Sequence, residues 1–223
     1  MEEYFARQIK LWGLETQQSL QKKHIVIVGC GGLGCSLGIA LGSSGIGKIT
    51  LIDFDEVGVH NIHRQIGFKV GDEGRKKCEV LKELIIARCP FVEVVAIDGS
   101  FEDFTKLHII PDLILDATDN LPVRSSIDTF AKEKNIPWIY GSVEEFHGQV
   151  CFFDKAIFSS VFSVKERVPN GIACPIVMNI ASLQANLALK YLAGFEVKKD
   201  FLYYVFFNNE GEFTLQKFNL PKE

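Results

Sequence analysis

The sequence lacks the features by which membrane, secreted and nucleic-acid-binding proteins are recognised. None of its apolar runs approaches the roughly 18 residues of a membrane-spanning helix. Its first residues, MEEYFARQIKLWG, start acidic and contain no apolar core of the signal-peptide type. Positive charge is not in excess, because 28 acidic residues outnumber 24 basic ones and give a net charge of -4. We therefore expect no membrane partner and no nucleic-acid partner.

Closely spaced cysteine pairs are also missing. The six cysteines, at positions 30, 35, 78, 89, 151 and 174, are scattered, and none forms a C-x-x-C pair. Disulfide frameworks and structural zinc sites need paired or clustered cysteines. The pattern is typical of reduced thiols in a cytoplasmic protein, so neither disulfides nor zinc are predicted.

What is present is enough apolar sequence for a substantial core. The chain has 223 residues, of which 47% are hydrophobic and 23% charged, a balance typical of a globular domain. No linker-like segment divides it. We predict a single domain over residues 1–223, with a helical segment at 1–23, a nucleotide-binding half at 24–140 and a C-terminal half at 141–223.

Short apolar runs alternate with segments of helical periodicity through the first half of the chain. After two short helical pieces within 2–22, broken near Trp12 and Gly13, strands are predicted at 24–28, 49–53, 92–97, 112–116 and 136–140. Helices are predicted at 32–44, 74–88 and 121–134, with a short one between the third and fourth strands. This alternation predicts a Rossmann-like α/β fold with a mostly parallel sheet and helices on both faces.

The pattern changes after residue 140. A strand is predicted at 150–153 and a long helix at 175–192, while residues 155–174 show little periodicity. Two aromatic-rich runs, 201–207 and 213–218, flank the turn-forming sequence NNEG and predict a terminal hairpin. Antiparallel strands are therefore expected to continue the sheet.

A glycine-rich loop, GCGGLG at 29–34, lies between the first predicted strand and the following helix. Its glycines allow a tight turn and the close approach of a phosphate to backbone N–H groups. Asp53 ends the second strand, where a carboxylate can accept hydrogen bonds from ribose hydroxyls. The pattern predicts a nucleotide site, but ribose and phosphate are common to NAD, FAD and ATP. A turn needed only for close packing is the alternative.

The residues after Asp53 favour phosphate chemistry. A polar stretch at 54–73, long for a connector, carries Asn61, Arg64 and Gln65, and Lys77 follows it. Nucleotidyl transfer needs such cations because negative charge spreads over the α-phosphate and the leaving pyrophosphate. A nicotinamide site needs an apolar slot instead. Each cation taken alone is equally compatible with a solvated surface charge.

Two aspartates follow the fourth predicted strand in the sequence DLILDATDN. Asp116 and Asp119 are therefore expected at the carboxyl edge of the parallel sheet, where open α/β sheets bind ligands. Mg²⁺ prefers one or two carboxylates together with phosphate oxygens. Asp119 is the stronger candidate ligand and Asp116 the weaker one. The alternative role of Asp119 is to cap the following helix.

Taken together, the motifs resemble one known family. ARQIKLWGLETQQSL, GCGGLG, DFDEV, NIHRQ, VGDEGRKK, DATDN and HGQV occur in the order of the MoeB/ThiF/HesA family, over roughly residues 4–195. The family includes the adenylation halves of ubiquitin-activating enzymes. The resemblance implies an adenylyltransferase that uses ATP and Mg²⁺ to activate the C-terminal glycine of a ubiquitin-like sulfur carrier protein. The carrier would end in Gly-Gly and serve thiamine or molybdenum-cofactor biosynthesis, and the products would be an acyl-adenylate and pyrophosphate.

The resemblance also implies residue roles. The catalytic residues would be Arg7, Arg64, Lys77 and Asp119, where Arg7 resembles an arginine that reaches across a homodimer interface to the partner's ATP, and Asp119 ligates Mg²⁺. The C-terminal half would bind the carrier. The nucleotide would contact Gly29, Gly31, Gly32, Gly34, Asp53, Asp55, Asn61, Arg64, Gln65, Lys77, Asp119 and Asn120.

The chain departs from the family pattern in its cysteines. Many members carry two C-x-x-C pairs that bind zinc, and their absence here again predicts no zinc. Some relatives use a cysteine in a crossover loop to accept the acyl group or its sulfur. Cys174 lies near that region, before a helix whose N-terminus could lower a thiol pKa. A small buried thiol is the alternative, and the one the sequence favours.

Three other functions remain open at this stage. A tRNA-modifying dehydratase of the same superfamily would activate a small carboxylate, although no basic extension for tRNA is evident. A NAD-dependent Rossmann oxidoreductase would bind NADH and catalyse no exchange of pyrophosphate into ATP. An inactive partner subunit of a ubiquitin-type activating enzyme would have lost the nucleotide-binding residues, which this chain retains.

Overall fold

The computed structural model describes residues 1–163 and 170–221. Its helices are α1 (Ala6–Trp12), α2 (Leu14–Leu20), α3 (Gly32–Gly42), α4 (Lys77–Arg88), α5 (Phe101–Thr105), α6 (Leu121–Lys134), α7 (Phe158–Val161) and α8 (Cys174–Leu192). Its strands are β1 (His24–Val28), β2 (Lys48–Ile52), β3 (Glu93–Ile97), β4 (Leu113–Asp116), β5 (Trp138–Glu144), β6 (His147–Phe153), β7 (Phe201–Phe207) and β8 (Phe213–Asn219). Short 3₁₀ turns occur at Val59–Asn61 and Val70–Asp72.

The strands form one sheet in the order β3-β2-β1-β4-β5-β6-β7-β8. The first five strands in sequence pair in parallel, and β6, β7 and β8 pair antiparallel with their neighbours. This confirms the predicted fold class. The division of the chain into functional segments stays a prediction.

Hydrophobic cores lie on both faces of the sheet. The three inner strands of its parallel part, β1, β2 and β4, are buried because their Ile, Leu and Val side chains point alternately to two covered faces. One core packs the sheet against α3, α4 and α8, and the other packs it against α5, α6 and α7. The predicted helices on both faces are thus confirmed.

Element boundaries differ from the predictions by more than two residues at three places. Helix α4 begins at Lys77 rather than at 74, because Gly74 lies in a turn with φ +78° and Lys76 is extended and forms an antiparallel bridge with Glu56. Strand β5 continues to Glu144 and β6 begins at His147, so a tight hairpin replaces the predicted gap before residue 150. The predicted aperiodic segment 155–174 contains the short helix α7, and its residues 164–169 lie outside the described part of the chain.

The N-terminal helices pack at the end of the molecule that is remote from the glycine loop. Gly13, with φ +86°, breaks the helical path between α1 and α2 as predicted. The amide nitrogen of Gln8 donates to the carbonyl oxygen of Ser44 at 2.9 Å, which holds α1 against the C-terminal end of α3. Among the described residues, no helix has the length and apolar content to cross a membrane.

Candidate functional site

The predicted nucleotide residues gather where the order of the strands reverses. The chain leaves β1 toward β2 on one side, while β4 lies on the other side of β1, so a crevice opens between the loops that follow β1 and β4. Ligands of open α/β sheets bind at such a switch point, outside the carboxyl ends of the strands. The loop of residues 29–34 follows β1 directly and runs into α3.

The four glycines of this loop have different structural roles. Gly29 has φ +93°, and a Cβ placed on it would lie 2.7 Å from the carbonyl oxygen of Ala117. A Cβ on Gly34 would overlap the carbonyl oxygen of Gly29, and one on Gly32 would lie 2.7 Å from a methyl carbon of Val177. A Cβ on Gly31 meets only the Gln65 amide nitrogen, at 3.5 Å. Packing therefore accounts for three of the glycines, whereas Gly31 leaves open space for a phosphate.

Asp53 links the glycine loop to the end of β2 by a hydrogen bond. Its carboxylate accepts hydrogen bonds from the backbone N–H of Cys30, at 2.6 Å, and of Asp55, at 2.7 Å. Burial raises the pKa of Asp53, while these N–H groups and the charge of Lys77 oppose the rise. A carboxylate has about four acceptor positions, so Asp53 keeps acceptors for ribose hydroxyls.

Lys77 supplies a cation beneath the same loop. Its Nζ lies 2.7 Å from a carboxylate oxygen of Asp55, and its side chain is only 6% exposed. Lys77 is the first residue of α4, where the helix dipole disfavours a positive charge. An anion bound there would interact favourably with both the ammonium group and the helix N-terminus. Lys77 and Asp55 therefore form a charge pair that suits a phosphate site.

The polar stretch after β2 brings Asn61, Arg64 and Gln65 to the loop. Arg64 donates from Nη2 to the amide oxygen of Asn61 at 2.9 Å. Gln65 is 4% exposed, its Nε2 faces Gly31, and its buried Oε1 has no hydrogen-bond partner among the described residues. An unpaired buried polar atom costs about 1–3 kcal/mol. This amide therefore fits a site that a polar ligand completes.

The turn after β4 carries Asp119 and Asn120. The Asn120 side-chain oxygen accepts from the N–H of Val123 at 3.1 Å and caps α6, so the capping role considered for Asp119 is wrong. Asp119 is exposed, and within the described ranges its carboxylate makes no hydrogen bond or ion pair. It is available to a metal ion.

Asp116, the weaker metal candidate, is already engaged. It is fully buried and accepts from Nε of Arg124 at 2.9 Å. Its other oxygen accepts from the backbone N–H and the hydroxyl of Thr118, at 2.9 and 2.7 Å. These contacts use three of the roughly four acceptor positions of the carboxylate, and the group is fully buried in its pair with Arg124, so Asp116 is not accessible to a metal ion.

Arg124 was missed in the sequence. It lies on the inner face of α6, where Nη2 donates to the carbonyl oxygens of Thr118 and, at 3.1 Å, of Gly141. A signal was present, because Arg124, Ile127 and Ala131 follow the i, i+3, i+7 spacing of a buried helical face. The charge of Arg124 obscured this pattern.

A cleft of about 820 Å³ opens beside Asp119. The side chains of β5, β6 and β7 that point to one face of the sheet form its floor, and Asp119, Arg124 and Leu33 lie on the side of the glycine loop. The floor residues are Tyr140, Ser142, Gln149 and Tyr204.

Comparison with known proteins agrees with this geometry. The ThiF family profile matches residues 5–223. The chain belongs to the ThiF family. This confirms the predicted family membership.

Relatives of this ThiF-family chain are named as adenylyltransferases. It is 30% identical over 204 residues to a molybdopterin-synthase adenylyltransferase of Escherichia coli, covering 86% of this chain and 82% of the relative. It is 34% identical over 143 residues to a sulfur carrier protein adenylyltransferase of Thermus thermophilus, covering 63% of this chain and 53% of the relative. These names confirm the prediction of an adenylyltransferase.

Solved structures share the fold. The crystal structure of PaaA superposes with a TM-score of 0.85 at 22% identity, covering 100% of this chain and 74% of PaaA. Escherichia coli MccB, crystallised with MccA-N7isoASN, gives a TM-score of 0.85 at 21% identity, covering 100% of this chain and 75% of MccB. At these identities the likeness concerns the fold alone.

Two further residues predicted to act in this ThiF-family chain are Arg7 and Cys174. Arg7 is exposed on α1, at the opposite end of α3. Cys174 is the partly buried first residue of α8, three residues before the Val177 that packs on Gly32. A role for either residue stays a prediction.

Metal binding by the protein alone is not evident. Among residues 1–163 and 170–221, no three His, Cys, Asp or Glu side chains are grouped so that they could hold an ion. The expected lack of zinc stays a prediction. A Mg²⁺ ion that is shared between one carboxylate and phosphate oxygens needs no such group.

Proposed function

We propose that this ThiF-family protein is an ATP-dependent adenylyltransferase that activates the C-terminal carboxylate of a sulfur carrier protein. The observation that carries the proposal is the position of Asp119. Asp119 lines the cleft, and the turn that carries it packs against the glycine loop, because Ala117 and Thr118 lie against Gly29. A carboxylate that enters through the cleft would meet a nucleotide in the glycine loop beside this aspartate.

The polar groups around the loop suit ATP. Asp53 would accept hydrogen bonds from the ribose, while Arg64, Gln65 and Lys77 would contact the phosphates above Gly31. The crystal structure of MccB with ATP, which matches this fold with a TM-score of 0.80, supports a nucleotide in this fold. A buried lysine and an arginine beside the loop suit a polyphosphate better than a nicotinamide ring, which argues against the oxidoreductase alternative.

Asp119 is the residue proposed to hold Mg²⁺. Its free carboxylate suits a cation that takes one or two carboxylates and completes its shell with phosphate oxygens and water. When bound, the ion would neutralise charge on the phosphate oxygens.

The carrier's tail would occupy the cleft. A tail that ends in Gly-Gly fits a passage between Leu33 and Asp119, because glycine has no side chain to separate the backbone from the walls. Tyr140, Ser142 and Gln149 on the floor would face the tail before it reaches Asp119.

The reaction needs no protein base. The carrier's carboxylate is already ionised at neutral pH, so one of its oxygens attacks the α-phosphorus directly. The new O–P bond forms as the bond to pyrophosphate breaks, and pyrophosphate leaves with the electron pair. The protein would contribute position and positive charge, the latter from Arg64 and Lys77.

Arg7 is proposed to act on the ATP of a partner subunit in a homodimer. The contact between Gln8 and Ser44 fixes α1 at the C-terminal end of α3. The 11 residues of α3 separate that end from Gly31 by about 16 Å. Arg7 therefore cannot reach its own site, and a contribution to catalysis would have to cross an interface.

The direct test is carrier-dependent exchange of labelled pyrophosphate into ATP, with purified molybdopterin-type and thiamine-type carriers. Exchange with at least one of them is expected. Asp119→Ala should lower the rate by about a hundredfold or more without changing the melting temperature, because its carboxylate has no hydrogen-bond or ion-pair partner among the described residues. Glu133→Ala, at the far exposed end of α6, is the matched control. Lack of exchange with every Gly-Gly carrier would refute the proposal.

A mixing experiment tests the role of Arg7. Arg7→Ala and Asp119→Ala should each be inactive alone. If Arg7 acts across the interface, random mixed dimers contain one intact site each, and activity should recover to about a quarter of the wild-type value. No recovery, under conditions where tagged subunits are shown to exchange, would contradict the proposal.

A further inference from the structure

The Arg124 guanidinium has donors that its protein contacts leave unused. A guanidinium carries five N–H donors in a fixed planar arrangement. Nε binds Asp116 at 2.9 Å, and Nη2 binds the carbonyl oxygens of Thr118 and Gly141. The two N–H groups of Nη1 have no partner among the residues that the structure describes.

These remaining donors belong to a residue that borders the cleft. Arg124 lines the cleft together with Asp119, although the residue as a whole is only 4% exposed. The Arg124 guanidinium carbon lies 5.0 Å from the centre of the Tyr140 ring, which forms part of the cleft floor. The pairing with Asp116 and the ring contact therefore fix the orientation of Nη1.

A role limited to holding the turn would explain only part of this arrangement. The contacts of Nε and Nη2 tie the end of β4 to β5 and account for the buried ion pair with Asp116. They leave unexplained the two donors that remain on an arginine that lines a cleft. Arginine is favoured where a planar pair of donors must meet a carboxylate.

We propose that Nη1 of Arg124 donates to the terminal carboxylate of the carrier tail, at the oxygen that does not attack phosphorus. This inference rests on the proposed adenylyltransferase function. Arg124 stays protonated throughout and takes part in no bond making or breaking. Because Asp116 neutralises its charge, Arg124 would orient the attacking oxygen by hydrogen bonding while withdrawing little of its negative charge.

The test compares carriers that end in a free carboxylate or in a carboxamide, bound to the protein without ATP so that no reaction occurs. Wild type should bind the carboxylate form about tenfold or more tightly. Arg124→Lys should lose most of this preference, since an ammonium group that pairs with Asp116 has no second nitrogen to offer. Arg88→Lys, an exposed arginine at the end of α4, is the matched control and should keep it.

Two further measurements separate recognition from loss of structure. Affinity for ATP should change less than about twofold in Arg124→Lys if only the tail contact is lost. If that variant does not fold, the double variant Arg124→Gln with Asp116→Asn replaces it, because it leaves no unpaired buried charge. An equal fall in affinity for ATP and for both carrier forms would overturn the assignment.

The outcomes distinguish this inference from the proposed function. Wild type that exchanges pyrophosphate but binds both carrier forms equally would overturn the role of Arg124 alone. The same holds if Arg124→Lys keeps the preference for the carboxylate. Wild type without carrier-dependent exchange would overturn both proposals.

Discussion

Alanine substitutions at Gly34 and Gly31 distinguish a glycine that the fold requires from a glycine that is proposed to contact phosphate. In Gly34→Ala the new Cβ would overlap the carbonyl oxygen of Gly29, which belongs to the tight turn itself. In Gly31→Ala the nearest atom to the new Cβ is the amide nitrogen of Gln65 at 3.5 Å, an ordinary contact. Gly31 has φ -75° and ψ -145°, and this ψ lies outside the β and α regions that an alanine adopts freely, so the backbone of Gly31→Ala must adjust slightly.

The two substitutions should therefore change the stability and the ATP affinity by different amounts. Overpacking a close contact typically costs about 1–3 kcal/mol, and Gly34→Ala should lie at the upper end because a backbone carbonyl cannot turn aside. In a chain of this length, a loss of about 3 kcal/mol lowers the melting temperature by roughly 6–12 °C. Gly31→Ala should lower the melting temperature by less, about 2–4 °C, because the methyl group meets no close contact and only the unusual ψ opposes it, at a cost of about 1 kcal/mol. Its affinity for ATP should fall about tenfold or more, because the methyl group occupies the space proposed for a phosphate.

Thermal unfolding followed by circular dichroism and titration with a fluorescent ATP analogue measure the two effects on the same samples. The reasoning would be refuted if Gly31→Ala bound the analogue like wild type. It would also be refuted if Gly31→Ala melted as early as Gly34→Ala, because both glycines would then serve packing alone.

Other predictions concern Asp53 and the cysteines. Because burial raises the pKa of Asp53, its ribose-accepting carboxylate should be protonated at a higher pH than an exposed aspartate, so ATP affinity should fall as the pH is lowered through the mildly acidic range. Asp53→Asn should show little of this dependence; an unchanged pH profile would contradict the assignment. The stability of the ATP-free protein should depend on pH in the opposite direction. Because the folded state binds this proton more tightly than the unfolded chain, the free energy of unfolding should rise as the pH falls from the folded-state pKa of Asp53 toward its unfolded-state pKa. Five of the six cysteines are buried, and burial raises the pKa of Cys35 to about 12. The native protein should therefore react rapidly with a disulfide reagent at Cys174 only. Cys174→Ala should abolish that reaction. If Cys174 accepts an acyl group or sulfur, Cys174→Ala should still exchange pyrophosphate but fail to transfer sulfur; full transfer would show the thiol to be dispensable.

The parallel half of the fold was predictable because its signals are local. Strands β1 and β4 are runs of β-branched and apolar residues, and α3 and α6 show helical periodicity within one segment. The hairpin of β5 and β6 was only partly predicted. Gly141 and Gly148 interrupt its strand pattern, and the reason for them lies elsewhere in the chain: helix α8 packs directly against both positions.

The residues of the candidate site were likewise only partly predictable from the sequence. Gly31, Asp53 and Lys77 occur in motifs whose spacing identifies them, and the structure brings them together within one loop region. Arg124 could not be assigned from spacing, because its partners Asp116, Thr118 and Gly141 lie on other elements. The contacts that would give a charged residue on a helix a function arise only from the tertiary fold.

Helix α8 connects the two sides of the proposed site. Three of its side chains, Val177, Ile180 and Gln184, follow the i, i+3, i+7 spacing of one helical face, and each packs where a glycine leaves room. Val177 meets Gly32 of the nucleotide loop, whereas Ile180 and Gln184 meet Gly148 and Gly141 in the strands that form the floor of the cleft. Because successive residues of a strand face opposite sides, a Cβ on either glycine would point toward α8, whereas the side chains of their neighbours Ser142 and Gln149 face into the cleft. The close approach of α8 to one side of the sheet therefore fixes the glycine loop relative to the polar floor on the other side. A transfer reaction that depends on position needs this relation to be rigid, since the nucleotide and the carrier tail would bind to different elements.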